Sequence, residues 1–246
     1  MKKLIYTAVC MMTVLALFGC TAGGTKEPEN NQTEQNTEND NKDYDAYLES
    51  IKEYFPTDNL YRLYHGYAES GFEIRYEDFE ENDDMAVFKY VGAMNDERGD
   101  ESDERTFRVS YTVVDGIVAE QVENADTMAE SSDNIYSKIK GLVVLSGAIE
   151  EGNSWEQEAE LDGNKVVIKT TITEVTEDSF TTVTEAEAEG YKDGKYTEER
   201  TYTKGQGLTS FSNTPYGSDE DDTLIFGYSF SVANEDSVTN KIPIEG

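Results

Sequence analysis

After residue 59 the chain alternates apolar and polar residues at a period of two over most of its length, as strands do when they bury one face. The clearest runs are Phe107 to Val113, Val166 to Ile172 and Leu224 to Val232. Because the intervening positions are mostly Thr, Glu or Lys, we predict an antiparallel all-β fold. Further strand candidates are Leu60 to Tyr67, Phe72 to Phe79, Ala86 to Val91, Leu142 to Leu145, Trp155 to Leu161, Phe180 to Ala186, Tyr196 to Thr203 and Leu208 to Ser212.

Three Asp-Gly dipeptides separate these runs, at 115–116, 162–163 and 193–194. Each predicts a two-residue hairpin turn, because Asp and Gly tolerate the positive φ that such turns need. A curved antiparallel sheet, as an open or half barrel, fits this pattern, and so does a β-sandwich. We favour the curved sheet, formed by a single β-rich domain from residue 44 to 246, because short helices can fill its concave side.

One segment instead shows the spacing of an amphipathic helix that ends before Pro56. A second short helix is predicted from Ser131 to Lys140, where Ile135 and Ile139 are four residues apart and Ser132 offers a cap. The apolar positions of the first helix are Tyr44, Tyr47, Leu48, Ile51 and Phe55.

The first 20 residues have the features of a secretion signal. Lys2 and Lys3 precede an apolar stretch, Leu4 to Phe18, which is too short to span a bilayer as a helix. Gly19 and Cys20 then match the end of a lipoprotein signal, in which the cysteine is diacylated and becomes the first mature residue. Residues 21–43 are polar and acidic, and we predict a disordered tether. The expected location is the outer face of the bacterial cytoplasmic membrane.

The formal net charge of −32 excludes nucleic acid as a partner, because phosphates repel such a surface. The chain has two cysteines, Cys10 within the signal and Cys20 at the lipidation site. The folded part therefore has no disulfide, no thiolate nucleophile and no cysteine metal ligand. We expect a monomer without a cofactor.

Several short patches resemble a group of lipoproteins from low-GC Gram-positive bacteria. The resemblance covers most of the chain from Tyr54 to Ser212, and it implies an all-β fold without implying any activity. It is carried by Tyr54-Phe55-Pro56, Leu63-Tyr64-His65-Gly66, Gly152-Asn153-Ser154-Trp155 and Tyr202-Thr203-Lys204-Gly205-Gln206-Gly207-Leu208.

The sequence contains no established catalytic motif. His65 is the single histidine, so a catalytic triad or a multi-histidine zinc site lacks its components, and no nucleotide-binding glycine loop occurs. Three acidic runs, 80–84, 96–104 and 219–222, have no calcium-loop spacing, and we interpret them as hydrophilic hairpin tips without a metal site. We predict that the protein is not an enzyme.

The tyrosines at 61, 64, 67 and 76 form the candidate binding site. Tyr61, Tyr64, Tyr67 and Tyr76 carry polar-tipped rings that line glycan or peptide grooves, although such rings also fill sheet interiors. The leading hypothesis is a non-catalytic module that binds an unknown small-molecule, glycan or peptide ligand. The alternative is a structural or interaction protein that contacts an envelope protein and has no ligand cavity.

Overall fold

The computed structural model describes residues 44–58, 62–66, 71–94, 106–124, 137–214 and 229–232. Within them, one helix, α1 (44–52), precedes thirteen strands, which confirms the predicted all-β fold. The strands are β1 (Arg62–Gly66), β2 (Gly71–Glu81), β3 (Met85–Met94), β4 (Thr106–Val114), β5 (Ile117–Asn124), β6 (Ile139–Lys140), β7 (Val143–Ser146), β8 (Ser154–Leu161), β9 (Asn164–Val175), β10 (Ser179–Glu187), β11 (Lys195–Thr203), β12 (Gly207–Asn213) and β13 (Ser229–Val232).

Every strand pairing in the described residues is antiparallel. The strand order is β6-β8-β9-β10-β11-β12-β13-β1-β2-β3-β4-β5-β7, and the sheet curls into two half-barrels. The predicted curved sheet is therefore correct. Of the strand predicted from Leu224 to Val232, only β13 lies within the described residues.

The Asp-Gly turns have the predicted backbone conformation. Asp115 and Gly116 have φ of 50° and 74° between β4 and β5, and Asp162 and Gly163 have φ of 48° and 77° between β8 and β9. Asp193 is also left-handed, but β10 ends at Glu187, so residues 188–194 form a longer connection than the predicted two-residue turn. A short 3₁₀ segment, Lys192–Gly194, occupies the end of that connection.

The predicted second helix is wrong where the structure describes it. Residues 131–136 lie outside the described residues, and Ile139 and Lys140 form β6 instead of a helix. Ile139 pairs with Leu161 of β8 and is buried. Ile139 therefore pairs with a residue 22 positions later in the sequence. This pairing takes the place of the i, i+4 contact with Ile135 that the predicted helix would have made.

The segment 139–146 touches both ends of the strand order, because β6 pairs with β8 whereas β7 pairs with β5. The chain turns between them at Gly141, whose φ is +68°. Where β7 faces β8, side chains take the place of a backbone ladder. Gln157 Oε1 accepts from Val143 N at 2.6 Å, and Trp155 Nε1 donates to Val143 O at 3.0 Å. We call this side-chain-bridged gap between β7 and β8 the seam.

The patch Gly152-Asn153-Ser154-Trp155 has a structural explanation at the seam. Gly152 has a φ of +87°, which glycine tolerates. Asn153 Nδ2 then donates to the carbonyl oxygens of Ser146 and Ala148, both at 2.8 Å. The patch thus fastens the start of β8 to the end of β7.

Replacing Gln157 with Ala is expected to destabilise the fold by about 1–3 kcal/mol, because two backbone partners, Val143 N and Gly141 O, lose their bonds. Urea denaturation checks this value. Gln121→Ala is the matched control, since Gln121 is exposed on β5, and we expect a change within about 0.5 kcal/mol. Equal effects of the two substitutions would show that the side-chain bonds do not hold the seam.

Helix α1 packs its apolar stripe into the hydrophobic core that the strands form, as its spacing predicts. Leu48 and Ile51 are fully buried. Just after the helix, the ring of Tyr54 lies 4.9 Å from that of Phe180, and the ring of Phe55 lies 4.6 Å from that of Tyr111. The helix and its exit therefore cover and fill one part of the sheet interior.

Candidate functional site

The structure describes two of the four candidate tyrosines. Tyr64 is 2 % exposed, and its hydroxyl donates to Leu208 O at 2.6 Å. Tyr76 is half-buried, with its ring edge-on to Tyr90 at 6.5 Å. Tyr61 and Tyr67 lie outside the described residues. Tyr64 is thus a core residue with an engaged hydroxyl, and the predicted four-tyrosine groove stays untested.

A small cleft adjoins Tyr64 where the exit of α1 meets the sheet. Its internal volume is about 20 Å³, which is room for one water molecule. The lining comes from the exit of α1, from β1 to β4, and from Gln206 with the first two residues of β12. The lining residues are Phe55, Pro56, Arg62, Tyr64, Ile74, Arg75, Tyr90, Tyr111, Gln206, Gly207 and Leu208.

Close backbone contacts join the exit of α1 to the turn between β11 and β12. Gly205 N donates to Glu53 O at 2.6 Å. Gly207 has a φ of +82°, so any larger residue there would strain the backbone, and a Cβ would come into ordinary contact with Pro56 Cδ at 3.4 Å. The Tyr-Phe-Pro and Gly-x-Gly-Leu patches, about 150 residues apart in sequence, therefore meet at this cleft.

Arg62 is held at the cleft by a carboxylate and by a backbone carbonyl. The residue is 6 % exposed, and its guanidinium binds Asp58 in a bidentate pair at 3.0 and 2.8 Å. Nη2 also donates to Gly205 O at 3.0 Å. These bonds fix the plane of the guanidinium, because its N–H groups are bound both by the carboxylate of Asp58 and by the carbonyl of Gly205.

The cleft tyrosines remain neutral hydroxyls over the physiological range. Burial raises the pKa of Tyr64 and of Tyr90 well above the usual value, and the nearby positive charge of Arg62 opposes the shift only in part. Tyr90 donates to Pro56 O at 3.0 Å, as Tyr64 does to Leu208 O. Both hydroxyls are therefore occupied as donors.

A charge network that the sequence analysis missed fills the sheet interior beside the cleft. Arg200 on β11 is 1 % exposed and binds Glu120 on β5 through both Nη atoms, at 2.8 and 3.0 Å. Its Nε donates to Glu198 at 2.6 Å, and Tyr196 donates to the other oxygen of Glu198 at 2.6 Å. We call Glu120, Tyr196, Glu198 and Arg200 the interior network.

The interior network joins β11 and β5, which are far apart in the sheet order. Burial alone would lower the pKa of Arg200, but the negative charges of Glu120 and Glu198 raise it well above its usual value. The guanidinium therefore stays charged. Arg200 Nη1 also donates to the hydroxyl of Tyr202, on the same face, at 3.3 Å. The ring centroid of Tyr202 lies 5.9 Å from that of Phe55, so Tyr202 connects the interior network to the wall of the cleft.

The described acidic run, 80–84, forms the hairpin tip between β2 and β3, as predicted. Asn82 Oδ1 accepts from Asp84 N and Met85 N, both at 3.0 Å, and Glu80 pairs with Lys89 at 2.5 Å. The runs 96–104 and 219–222 lie outside the described residues. Among those that are described, no group of three or more acidic, His or Cys residues is placed to hold a metal ion.

Helix α1 is too short and too polar to cross a membrane. No helix in the described ranges is long and apolar enough to do so. Cys20 and the predicted tether lie outside those ranges. The lipid attachment and the signal at 1–20 therefore remain predictions from the sequence.

The comparisons with known proteins give one distant neighbour. No family model matches the chain, and no curated protein matches it. A crystal structure from Parabacteroides distasonis, titled a "putative lipoprotein", aligns at 10% identity with a TM-score of 0.40, over 72% of this chain and 95% of that one. The comparisons do not identify the chain as a member of the Gram-positive group that its patches resemble.

Proposed function

We infer that the protein is a lipid-anchored, non-catalytic binding module on the outer face of the cytoplasmic membrane, and that it binds its ligand at the cleft beside Tyr64. The observation that carries this proposal is the convergence of distant segments on one cleft. Residues 55–56, 62–64 and 206–208 all line it. A cleft with aromatic walls and a few fixed polar groups is the usual form of a small-ligand site.

The sheet interior itself is a poor place for a ligand. Aromatic rings and the interior network occupy it, and Tyr196, Arg200, Tyr202, Phe180 and Phe211 are all at most 1 % exposed. A carrier that encloses an apolar ligand needs an open cavity among such residues. A ligand of this protein therefore binds at the cleft with most of its body in solvent.

A second candidate is a structural or interaction protein of the envelope, which the filled interior and the small cleft favour. In that case the contact surface is the acidic exterior. The outer face of β8 is one example, since it exposes Glu156 and Glu158. Such a surface attracts cationic partners and repels anionic ones.

The anchor is tested by metabolic labelling with a clickable fatty acid. We expect the wild-type protein to be labelled and to sediment with membranes. We expect Cys20→Ala to be unlabelled and released, because the sulfur of Cys20 is the atom to which the lipid is attached. Cys10→Ala is the control and should behave as wild type if the signal is cleaved before Cys20. A Cys20→Ala protein that stays labelled and membrane-bound would contradict the anchor.

Binding at the cleft is tested by a thermal-shift screen of peptides, glycan fragments and acyl chains. A true cleft ligand should raise the unfolding midpoint of the wild type and of Gln121→Ala, and it should do so less for Gln206→Ala, because exposed Gln206 lines the cleft. If no compound acts, and an envelope protein is retained by the wild type but not by Glu156→Gln with Glu158→Gln, the second candidate replaces the first.

A further inference from the structure

Helix α1 and its exit are attached to the sheet in different ways. The exit, residues 53–56, is bound by hydrogen bonds to the strands and their turns. Gly205 N donates to Glu53 O at 2.6 Å, and the hydroxyl of Tyr90 donates to Pro56 O at 3.0 Å. The exit therefore has fixed polar partners on β3 and on the turn between β11 and β12.

The body of α1, residues 44–51, is held chiefly by apolar contacts. Leu48 and Ile51 are at most 1 % exposed and belong to the hydrophobic core. At the end of the helix, Lys52 pairs with Glu81 of the hairpin between β2 and β3 at 3.4 Å. Both of these charged side chains are about a third exposed, and an ion pair of that kind contributes little. Burial of apolar side chains thus keeps α1 docked.

Docking also buries two tyrosine hydroxyls of α1. The hydroxyl oxygens of Tyr44 and Tyr47 are buried, and no described residue makes a hydrogen bond to either of them. Burial raises the pKa of Tyr47, and burial together with the negative charge of Glu81 raises that of Tyr44, so both hydroxyls stay protonated. A buried hydroxyl without a partner has lost its bonds to water and gained none in return. Two polar groups that solvent would satisfy therefore oppose the docked position of α1.

We propose that α1 is a lid that opens while its exit stays attached to the sheet. Because α1 precedes every described strand in the chain, it can leave the sheet without breaking a strand pairing. Opening returns the hydroxyls of Tyr44 and Tyr47 to water, and it exposes Leu48 and Ile51. The hydrogen bond at Glu53 O remains, so the hinge lies at the end of the helix.

Opening of the lid uncovers an apolar surface next to the cleft. Lys52 Nζ lies 5.6 Å from the ring centroid of Phe79, which in turn lies 4.8 Å from that of buried Phe88. The ring of Phe55 lies 5.5 Å from that of Phe88, and Phe55 also lines the cleft. The surface beneath the lid is thus continuous with the cleft wall. This device is additional to the proposed function and does not require the cleft to hold a ligand.

The lid is tested by native-state hydrogen exchange of the full-length protein, measured by mass spectrometry. A helix as short as α1 is marginal in water, so it loses its helical hydrogen bonds when it opens. We expect the amides of residues 48–52 to exchange at least about tenfold faster than those of β10, which is paired on both sides. Their exchange should also depend less on added urea, because a lid exposes less surface than global unfolding does.

Three variants shift the lid in known directions. Tyr47→Phe should slow exchange in α1 at least about fivefold, because the closed lid no longer buries an unpaired hydroxyl. Tyr64→Phe is the matched control, since the hydroxyl of Tyr64 donates to Leu208 O and its removal should not slow exchange in α1. Leu48→Ala should favour the open lid and raise the fluorescence of Nile red, an uncharged dye that binds exposed apolar surface. Circular dichroism confirms that each variant is folded.

Exchange of α1 and β10 at one rate and with one urea dependence would overturn the lid, because α1 would then open only with the whole domain. Unchanged or faster exchange in α1 of Tyr47→Phe would also overturn it, since the buried hydroxyls would then not oppose docking. A folded Leu48→Ala protein that binds no more Nile red than the wild type would contradict the uncovered apolar surface. The proposed function fails separately, when no ligand depends on a cleft residue.

Discussion

Replacing Arg200 with alanine is expected to lower the free energy of unfolding by about 3–5 kcal/mol, which is the cost of leaving buried carboxylates without their cation. Glu120 and Glu198 are 3 % and 0 % exposed and would both lose the guanidinium that now binds them. Water cannot replace those bonds without opening the interior between β5 and β11. Urea denaturation followed by circular dichroism measures the loss.

The matched control for Arg200→Ala is Arg108→Ala. Arg108 pairs with Glu77 on the solvent side, where an ion pair contributes at most about 1 kcal/mol. A loss below about 1 kcal/mol for Arg200→Ala as well would show that solvent reaches the interior network, and it would remove the reason to treat the interior as dry.

A third variant separates the pairing of the charges from the filling of space. Replacing Arg200, Glu120 and Glu198 together with methionine keeps the interior filled and removes every charge. We expect this triple variant to be more stable than Arg200→Ala alone, because no unpaired charge is left. If the triple variant is the less stable one, the network itself contributes net stabilisation beyond its volume.

The sequence contained a signal for the interior network. On β11, Glu198 and Arg200 are in phase with Tyr196 and Tyr202 at a period of two, so they share the face that those rings bury. Glu120 likewise alternates in phase with Val118 on β5. Glu120 and Glu198 are two of 52 acidic residues in the chain, so only their phase along each strand distinguishes them from the exposed ones.

Local rules predicted the strands and the helix, but they did not predict how the sheet curls. Alternation depends on neighbours within a strand, whereas the seam depends on Val143 and Gln157, which come together because β6 and β7 pair with opposite ends of the strand order. The cleft shows the same limit. Tyr64 was selected from its aromatic neighbourhood, and the acceptor of its hydroxyl, Leu208 O, lies 144 residues away.

Replacing Phe55 with alanine is also expected to cost about 3–5 kcal/mol, the range for a large aromatic lost from a well-packed core. Phe55 is 2 % exposed, and its ring centroid lies 4.6 Å from that of Tyr111, 5.5 Å from that of Phe88 and 5.9 Å from that of Tyr202. Without this ring, the segment that follows α1 loses its contacts with three aromatic rings of the sheet. Phe55→Leu should cost less than Phe55→Ala, because a smaller cavity is left.

The single tryptophan allows the extent of that damage to be measured. Trp155 lies at the seam and bonds to Val143 O, so its fluorescence reports on the seam, whereas circular dichroism reports on all strands. Because one continuous sheet connects the strands that contact Phe55 to the seam, we expect both signals to move to the same lower urea midpoint in Phe55→Ala. A Trp155 transition that stays at the wild-type midpoint would show that α1 and the seam unfold independently.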